Sequence, residues 1–503
     1  MNRVLPLAFL LALSAPAFGQ AVDAQGAKQL SDELSRYVGK QALNEGILKI
    51  STEGNAYKVT FDMKALAAKV PKQDLVKFDF PPITLLVKPN GDGGWSVSSD
   101  FSTSGSFEVN NSEGPATGQI DIKDGKFAGV YDPELGAFRS GESSIAGMTM
   151  TSRMSKQITD LNVGSGSSKF GATKSAGGGV DLNVTQSMVD FAETVKLDNR
   201  SVGAVKTSEL VVDLTAKAIR TKPLLDLLAF AVAHEDEAQL KADQAELKAL
   251  LLSALPLWER MDGTYTFRNF VFETYAGNLG ASQLTTSYGA DGIARAGKYD
   301  YRIKAKGLSF PYVIPGWAAK LMPTELDVKF GGVNIDLDSM SRKAIETFDL
   351  NKNPPLPAEF GDQIKADFMA NAPKFIVDHS VFSNGDTEVA LEGDMTFPDG
   401  DKPDANLTID VTGYDKIVAS LQEAAKTDPE ASQAFTGALA VKGFAKTLPD
   451  GRVEWVINAK HDGSVTVNGA MLKGPDPAVE DGAGQDASPG EGNSGGAGAK
   501  LQP

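Results

Sequence analysis

Residue types that do chemistry are sparse and scattered in this 503-residue chain, which holds three histidines and no cysteine. Without a thiol there is neither a thiolate nucleophile nor a cysteine-ligated metal. His234 comes closest to a motif. His234-Glu235 opens like the zinc-protease pattern H-E-x-x-H, in which two imidazoles four residues apart share a helix face, but Ala238 stands where the second imidazole is needed. His234 therefore reads as a polar residue at the exposed end of an apolar helix, and His379 and His461 as turn-adjacent surface residues. No G-x-S-x-G elbow stands between a strand and a helix pattern, and no S-x-x-K occurs, so the familiar settings of an activated serine are missing. Gly164-Ser165-Gly166 and Gly177-Gly178-Gly179 are not followed by the G-K-[ST] of a phosphate loop. Asp399, Asp401 and Asp404 gather beside Gly400, yet counted from Asp399 the sixth position of a calcium loop is Asp404 where glycine is needed, which favours a solvated turn. Asp336 and Asp338 flank Leu337 on one strand face, whereas a glycosidase needs its two carboxyls facing each other across a cleft. No catalytic, cofactor-binding or metal-ligating residue is assigned, and ligand-binding residues stay open. The expectation is a protein without cofactor that is not an enzyme.

The elements that would position any site are better marked. Lys298 to Lys306 alternates strictly, with Tyr299, Tyr301, Ile303 and Ala305 on one side and charged residues on the other. Glu325 to Asp338 repeats the pattern on both flanks of Gly331-Gly332, a pair that reads as a turn or a bulge. Leu407, Ile409 and Val411 share a face, as do Val453, Trp455, Ile457 and Ala459. Such alternation belongs to antiparallel sheet with one packed and one wet face. Helical periodicity runs from Asp236 to Ala254, where Glu237 precedes Lys241 at the favourable spacing and Pro256 stops the helix. Leu224 to Ala233 is apolar nearly all round, and Tyr414 to Lys426 is an amphipathic helix ended by Asp428-Pro429. Phe310 to Met322 concentrates large apolar groups in a proline-broken stretch that either lines a cavity or plugs one end of the sheet. A helical or irregular stretch, a proline and a strand recur around Pro71, Pro256, Pro323 and Pro373.

Arg3, the apolar run Val4 to Leu13 and the small residues Ala17 and Gly19 compose a secretory signal peptide over residues 1–20, with cleavage near Gly19. That run is shorter than the roughly 20 apolar residues of a spanning helix, so no integral membrane span is expected after cleavage. Forty-nine Lys and Arg against 65 Asp and Glu give a formal charge of -16, which repels a phosphate backbone and excludes nucleic acid as partner. The mature chain divides into a β-rich unit over 21–163, a Gly/Ser-rich loop or linker over 164–179, a β/α unit over 180–345, a second β/α unit over 346–473 and a disordered tail over 474–503.

The succession Gly307-Leu308 to Pro323-Thr324-Glu325-Leu326, then Ala372-Pro373-Lys374, Gly413-Tyr414-Asp415 and Val465-Thr466-Val467-Asn468-Gly469 resembles secreted alphaproteobacterial proteins grouped as a domain of unknown function, distantly similar to AsmA-like envelope proteins. The resemblance covers most of the mature chain and rests on pattern. It implies a long curved antiparallel sheet whose apolar face holds lipid, with helices at the ends, and it brings no activity and no functional residues. Many such relatives carry an N-terminal membrane anchor, whereas the apolar segment here looks cleavable. The expected fold is α+β, predominantly a long curved antiparallel β-sheet (open groove or half-barrel) with amphipathic helices packed at its ends and over one face. The expected function is non-enzymatic binding of lipid or another apolar envelope ligand in the periplasm. A periplasmic scaffold acting through envelope proteins is the alternative, and a hydrolase without recognisable motif the third choice.

Overall fold

A computed structural model describes residues 22–68, 75–111, 114–398 and 402–476. The expected signal peptide, its cleavage position at Gly19, Pro71, Asp399, Asp401 and residues 477–503 of the expected tail lie outside the described residues. Among the described residues twenty-three strands form one sheet. They are β1 (Leu48–Glu53), β2 (Ala56–Phe61), β3 (Leu75–Asp79), β4 (Ile83–Pro89), β5 (Trp95–Asn111), β6 (Gly114–Asp132), β7 (Ala137–Ile145), β8 (Gly147–Met154), β9 (Gln157–Val163), β10 (Ser165–Lys174), β11 (Val180–Leu197) and β12 (Arg200–Ile219). After a helical insertion come β13 (Arg260–Thr274), β14 (Gly277–Asp291), β15 (Gly297–Lys306), β16 (Glu325–Ile335), β17 (Lys374–Asn384), β18 (Thr387–Thr396), β19 (Asp404–Thr412), β20 (Lys446–Thr447), β21 (Val453–Ala459), β22 (Val465–Val467) and β23 (Ala470–Lys473). The helices are α1 (Ala24–Val38), α2 (Lys40–Asn44), α3 (Met63–Ala67), α4 (Thr221–Ala233), α5 (Glu237–Ala242), α6 (Gln244–Ala254), α7 (Gly316–Ala319), α8 (Leu337–Thr347), α9 (Phe360–Ala370), α10 (Tyr414–Ala424) and α11 (Pro429–Lys442).

Pairing follows chain order and is antiparallel. From β11 to β19 each strand bonds the one before it. Earlier, β7 and β8 together run back along β6, and β9 and β10 together run back along β8 and β7. Among the described residues β1 pairs with β2 and β23 with β22, so the long curved sheet has two free edges and does not close into a barrel. The 21–163, 180–345 and 346–473 units are thus successive stretches of one sheet. The Gly/Ser-rich 164–179 segment is not a linker: Ser165–Lys174 is β10, paired on both sides, and the turn is confined to residues 175–179. A small residue there serves packing, because a Cβ on Gly166 would sit 3.1 Å from its β7 partner Ile145, and on the neighbouring strand Gly141 lies beneath the Phe170 ring, 2.3 Å from an added Cβ.

The longest strand, β12, has 20 residues, which at about 3.3 Å per residue is roughly 65 Å. Such strands do not stay straight. An interruption between Phe101 and Thr103 of β5 faces Asp124 of β6, which has φ 45°. The next strands break at Ala146 and at Gly164, and Asp190 (φ 53°) and Asn269 (φ 52°) mark β11 and β13. These positions are joined laterally by bonds such as Gly164 N–H to the Val189 carbonyl (2.9 Å) and Asn269 Nδ2 to Ser208 Oγ (3.0 Å). Asp and Asn tolerate the left-handed region better than other side chains. Interruptions at one level in β5 to β10, with left-handed residues beside them in β11 and β13, put a crease across this half of the sheet.

The fully packed core lies at the two ends. At the first, Leu30 and Leu34 of α1 and Leu225 of α4 bury against Tyr57, Trp95, Val97 and Tyr131. At the second, Val411, Val453, Trp455 and Val467 pack beneath Tyr414 and Ile417 of α10. Helices α1, α4, α6, α8 and α9 touch in that order. Pro256, Pro323 and Pro373 each precede a strand, β13, β16 and β17, as the recurrence implies.

Candidate functional site

Directly opposed residues of an antiparallel sheet share a face, so the register assigns every side chain to one side. One row crossing the sheet reads Val184, Leu214, Gly263, Tyr288, Tyr301, Phe330, Val377, Gly393, Leu407 and Ile457. A parallel row reads Met188, Leu210, Phe267, Leu284, Ala305, Leu326, Phe382, Val389, Val411 and Val453. Neither contains a charge. Between them run Gln186, Val212, Tyr265, Thr286, Ile303 and Val328. This inner face is the one that the terminal cores continue.

Its middle is not sealed. Tyr265, Phe267, Leu284, Tyr288, Tyr301, Ile303, Val328 and Phe330 are all half-buried, and Phe375 is 39% exposed. Rings line up across strands: Tyr265 and Tyr288 stack at 6.2 Å, Tyr301 and Phe330 stand 5.4 Å apart, and Phe330 and Phe375 6.3 Å. Gly263 lies beneath the Tyr288 ring, where a Cβ would meet it at 2.4 Å. The polar groups on this face are few. Ser380 is spent on the backbone, its Oγ accepting from Lys329 N–H at 2.9 Å and donating to the Asp378 carbonyl at 2.8 Å.

The outer face carries the charges and pairs them. Arg260 reaches Asp300 at 2.6 Å, Asp262 at 2.9 Å and Asp291 at 3.2 Å, while Arg302 grips Asp327 at 2.5 Å and holds that carboxyl below the usual range. Lys374 meets Asp394 at 2.5 Å. Exposed pairs contribute about 0–1 kcal/mol each, so their principal effect is to keep this face wet and fix which face turns inward.

A cavity of about 620 Å³ opens between α1, α4 and α6, walled by Ala229, Phe230, Val232 and Leu250, with Arg36, Lys40, Asp226 and Glu246 around it. His234 also lines it but is occupied. Its Nδ1 lies 2.8 Å from the Phe230 carbonyl and its Nε2 3.0 Å from Asp243, with the ring stacked on Phe230 at 3.8 Å. The Phe230 carbonyl, and then Asp243, raise its pKa above the ordinary 6.5. Asp243 also explains why the helix expected over Asp236 to Ala254 is split, since it stands between α5 and α6.

The other sequence candidates are dispersed. His379 stands in mid-strand on β17, exposed, with Nδ1 3.6 Å from Glu392, and not beside a turn. His461 Nδ1 lies 2.9 Å from Asp404; the His461 backbone N–H and ring, with Lys460, lower the Asp404 pKa to about 2. Asp336 and Asp338 do not share a strand face, because β16 ends at Ile335 and Asp336 caps α8 by accepting from Ser339 N–H at 2.8 Å. Gly331-Gly332 is likewise no turn. Both sit inside β16, Gly331 so close to β15 that a Cβ would meet the Tyr299 carbonyl at 2.3 Å, and the bulge falls beyond them, with Asn334 at φ 60°. Among the described residues no group of three or more His, Asp or Glu side chains is placed to hold a metal ion.

Asp338 hydrogen-bonds Arg342 at 2.8 Å and Arg295 at 3.4 Å, which holds its carboxyl below the ordinary 3.8. A depressed folded-state pKa contributes stability that is complete above 3.8 and is lost as pH falls through the lower folded value. Asp338→Asn should therefore lower the melting temperature near neutral pH and narrow its gap to the parent as the pH drops below 3.8, as thermal scans across acid pH will show. A gap that stays constant through that window would refute the pairing.

Phe310 to Met322 forms the connection between β15 and β16. Trp317 Nε1 donates to Asp428 at 3.0 Å and Asn384 Nδ2 to the Met322 carbonyl at 2.8 Å, while Tyr312 points outward, 83% exposed. No helix among the described residues is long and apolar enough to cross a membrane. No family model, curated protein or solved structure matches this chain.

Proposed function

We propose that this is a non-enzymatic periplasmic protein that holds a lipid or another apolar envelope ligand against the inner face of its sheet. The single observation that carries the reading is the run of charge-free rows across β11 to β21, whose aromatic side chains in the middle are only half-buried although Leu210, Val212 and Ala305 among them are buried. A monomeric domain normally covers such a surface or uses it. Covering about 400 Å² of apolar ligand at about 25 cal/mol per Å² contributes roughly 10 kcal/mol before the costs of association. The resemblance to AsmA-like proteins points the same way. An envelope scaffold acting through protein partners is the second reading, favoured by Leu439, Val441 and Phe444, all exposed at the end of α11. Native mass spectrometry of the full chain purified without detergent is expected to show an adduct that organic extraction recovers as lipid. A bare mass, with partners crosslinked through α11 instead, would favour the scaffold.

A further inference from the structure

The end of the sheet beyond the crease carries unpaired apolar tips. Tyr275, in the turn between β13 and β14, is 94% exposed, and Tyr312 and Val313 of the β15–β16 connection are 83% and 55% exposed. They are neighbours. A Cβ built on Gly277 would lie 3.1 Å from both Pro311 and Tyr312. The β11–β12 hairpin ends alongside, since Gly203 pairs with Thr274, and contributes Leu197 and Val202, 49% and 44% exposed.

This rim is continuous with the inner face. Phe270 stands edge-on to Phe267 at 5.8 Å, which keeps both on one side across the left-handed Asn269, and Phe272 follows two residues on, paired with Val205 and Leu279. Its electrostatics differ from those of the whole molecule. The chain has formal charge -16, yet acidic and basic residues balance over 154–162, 193–206, 272–279 and 309–313. Most are paired there: Lys196 with Asp160 at 2.6 Å, Lys206 with Glu273 at 2.7 Å, and Lys156 with Asp198 at 3.5 Å. An electroneutral rim tipped with tyrosines, whose rings combine an apolar body with a polar hydroxyl, suits the headgroup level of a bilayer.

We infer that these hairpin tips dock onto a neutral phospholipid surface and so present the mouth of the groove to it. The inference rests on the lipid-groove reading for its purpose but not for its test. The full chain is mixed with phosphatidylcholine vesicles and floated on a density gradient, beside the triple variant Tyr275→Ser, Tyr312→Ser, Val313→Ser. Because all three side chains are exposed, the fold should survive, which circular dichroism verifies. The parent is expected to float and the variant to lose at least fivefold of its bound fraction, while Phe330→Asp floats like the parent. A parent that stays at the bottom, or a triple variant that floats unchanged, overturns the docking. Flotation lost in Phe330→Asp alone means that the groove merely captures lipid, which overturns the docking and spares the groove. A triple variant that instead changes the oligomeric state in solution assigns the tips to a second copy of the chain, which also overturns it. Tip-dependent flotation with no lipid adduct in the native mass spectrum leaves the docking standing and removes the groove.

Discussion

Phe330→Asp is expected to lower affinity for an apolar ligand roughly tenfold to a hundredfold, about 1.4–2.8 kcal/mol, without unfolding the protein. Phe330 sits between Tyr301 and Phe375 in the ring ladder of the inner face. A carboxylate there meets no cation in the register, because its row is free of charge across the neighbouring strands. Bound ligand would bury that charge, and an unpaired buried charge is costly. In the unliganded protein the position is only half-buried, so water reaches the carboxylate and the fold tolerates it. Thr285→Asp is the control, since it faces the other way and stands opposite Lys304. Displacement of a fluorescent fatty acid should separate the two variants. Equal binding by parent, Phe330→Asp and Thr285→Asp would place the ligand elsewhere.

Trp95→Ala should have the largest effect on stability, about 3–5 kcal/mol, the usual range for truncating a buried aromatic. Trp95 is 1% exposed, pairs with Pro89 and Tyr131, and lies 6.3 Å from the Tyr57 ring. Its loss undermines the core to which α1 and α4 are pinned. The damage should stay local. Each strand meets only its immediate neighbours, so energetic coupling decays along the sheet, as in repeat proteins. Hydrogen exchange is expected to accelerate in β2, β4, β5 and β6 and to remain unchanged in β19 and β21, whose core is built around Trp455. Uniform acceleration throughout would show that the sheet unfolds as one unit.

The later strands were legible because their outer positions are charged. Lys298, Asp300, Arg302 and Lys304 interleave with Tyr299, Tyr301 and Ile303, and β15 turns those two sets to opposite faces as the alternation requires. The α+β class and the long curved antiparallel sheet follow from that rhythm. Earlier strands hid behind composition. In β10, Gly166, Ser167, Ser168 and Gly171 resemble a flexible loop, and only the register shows that Phe170 covers a glycine on the strand beside it. Close approach to the neighbouring strands, with Ile145 3.1 Å from a Cβ on Gly166 and the Arg139 carbonyl 3.2 Å from one on Gly171, is a tertiary cause that no local window contains. Helix ends failed for a related reason. Asp428-Pro429 stops α10 but also starts α11, with the Asp428 carboxylate accepting from the Glu430 and Ala431 N–H groups and the proline at the first turn. The continuity of the inner face was not readable, because alternation within a strand says nothing about which strand lies next to it.

Sequential pairing has a consequence for biogenesis. Nearly every strand finds its partner in the segment synthesised just before it, so contact order is low despite the all-antiparallel architecture, and loop closure is inexpensive at almost every step. The sheet can grow by one hairpin arm at a time as the polypeptide emerges, its free border always being the youngest strand. The two longest waits are of equal length, from Ile219 to Arg260 while α4, α5 and α6 are made and from Thr412 to Val453 while α10 and α11 are made, and in each the strand at the border must stand unpaired. A chaperone that shields nascent β-edges would have its greatest influence in those two intervals.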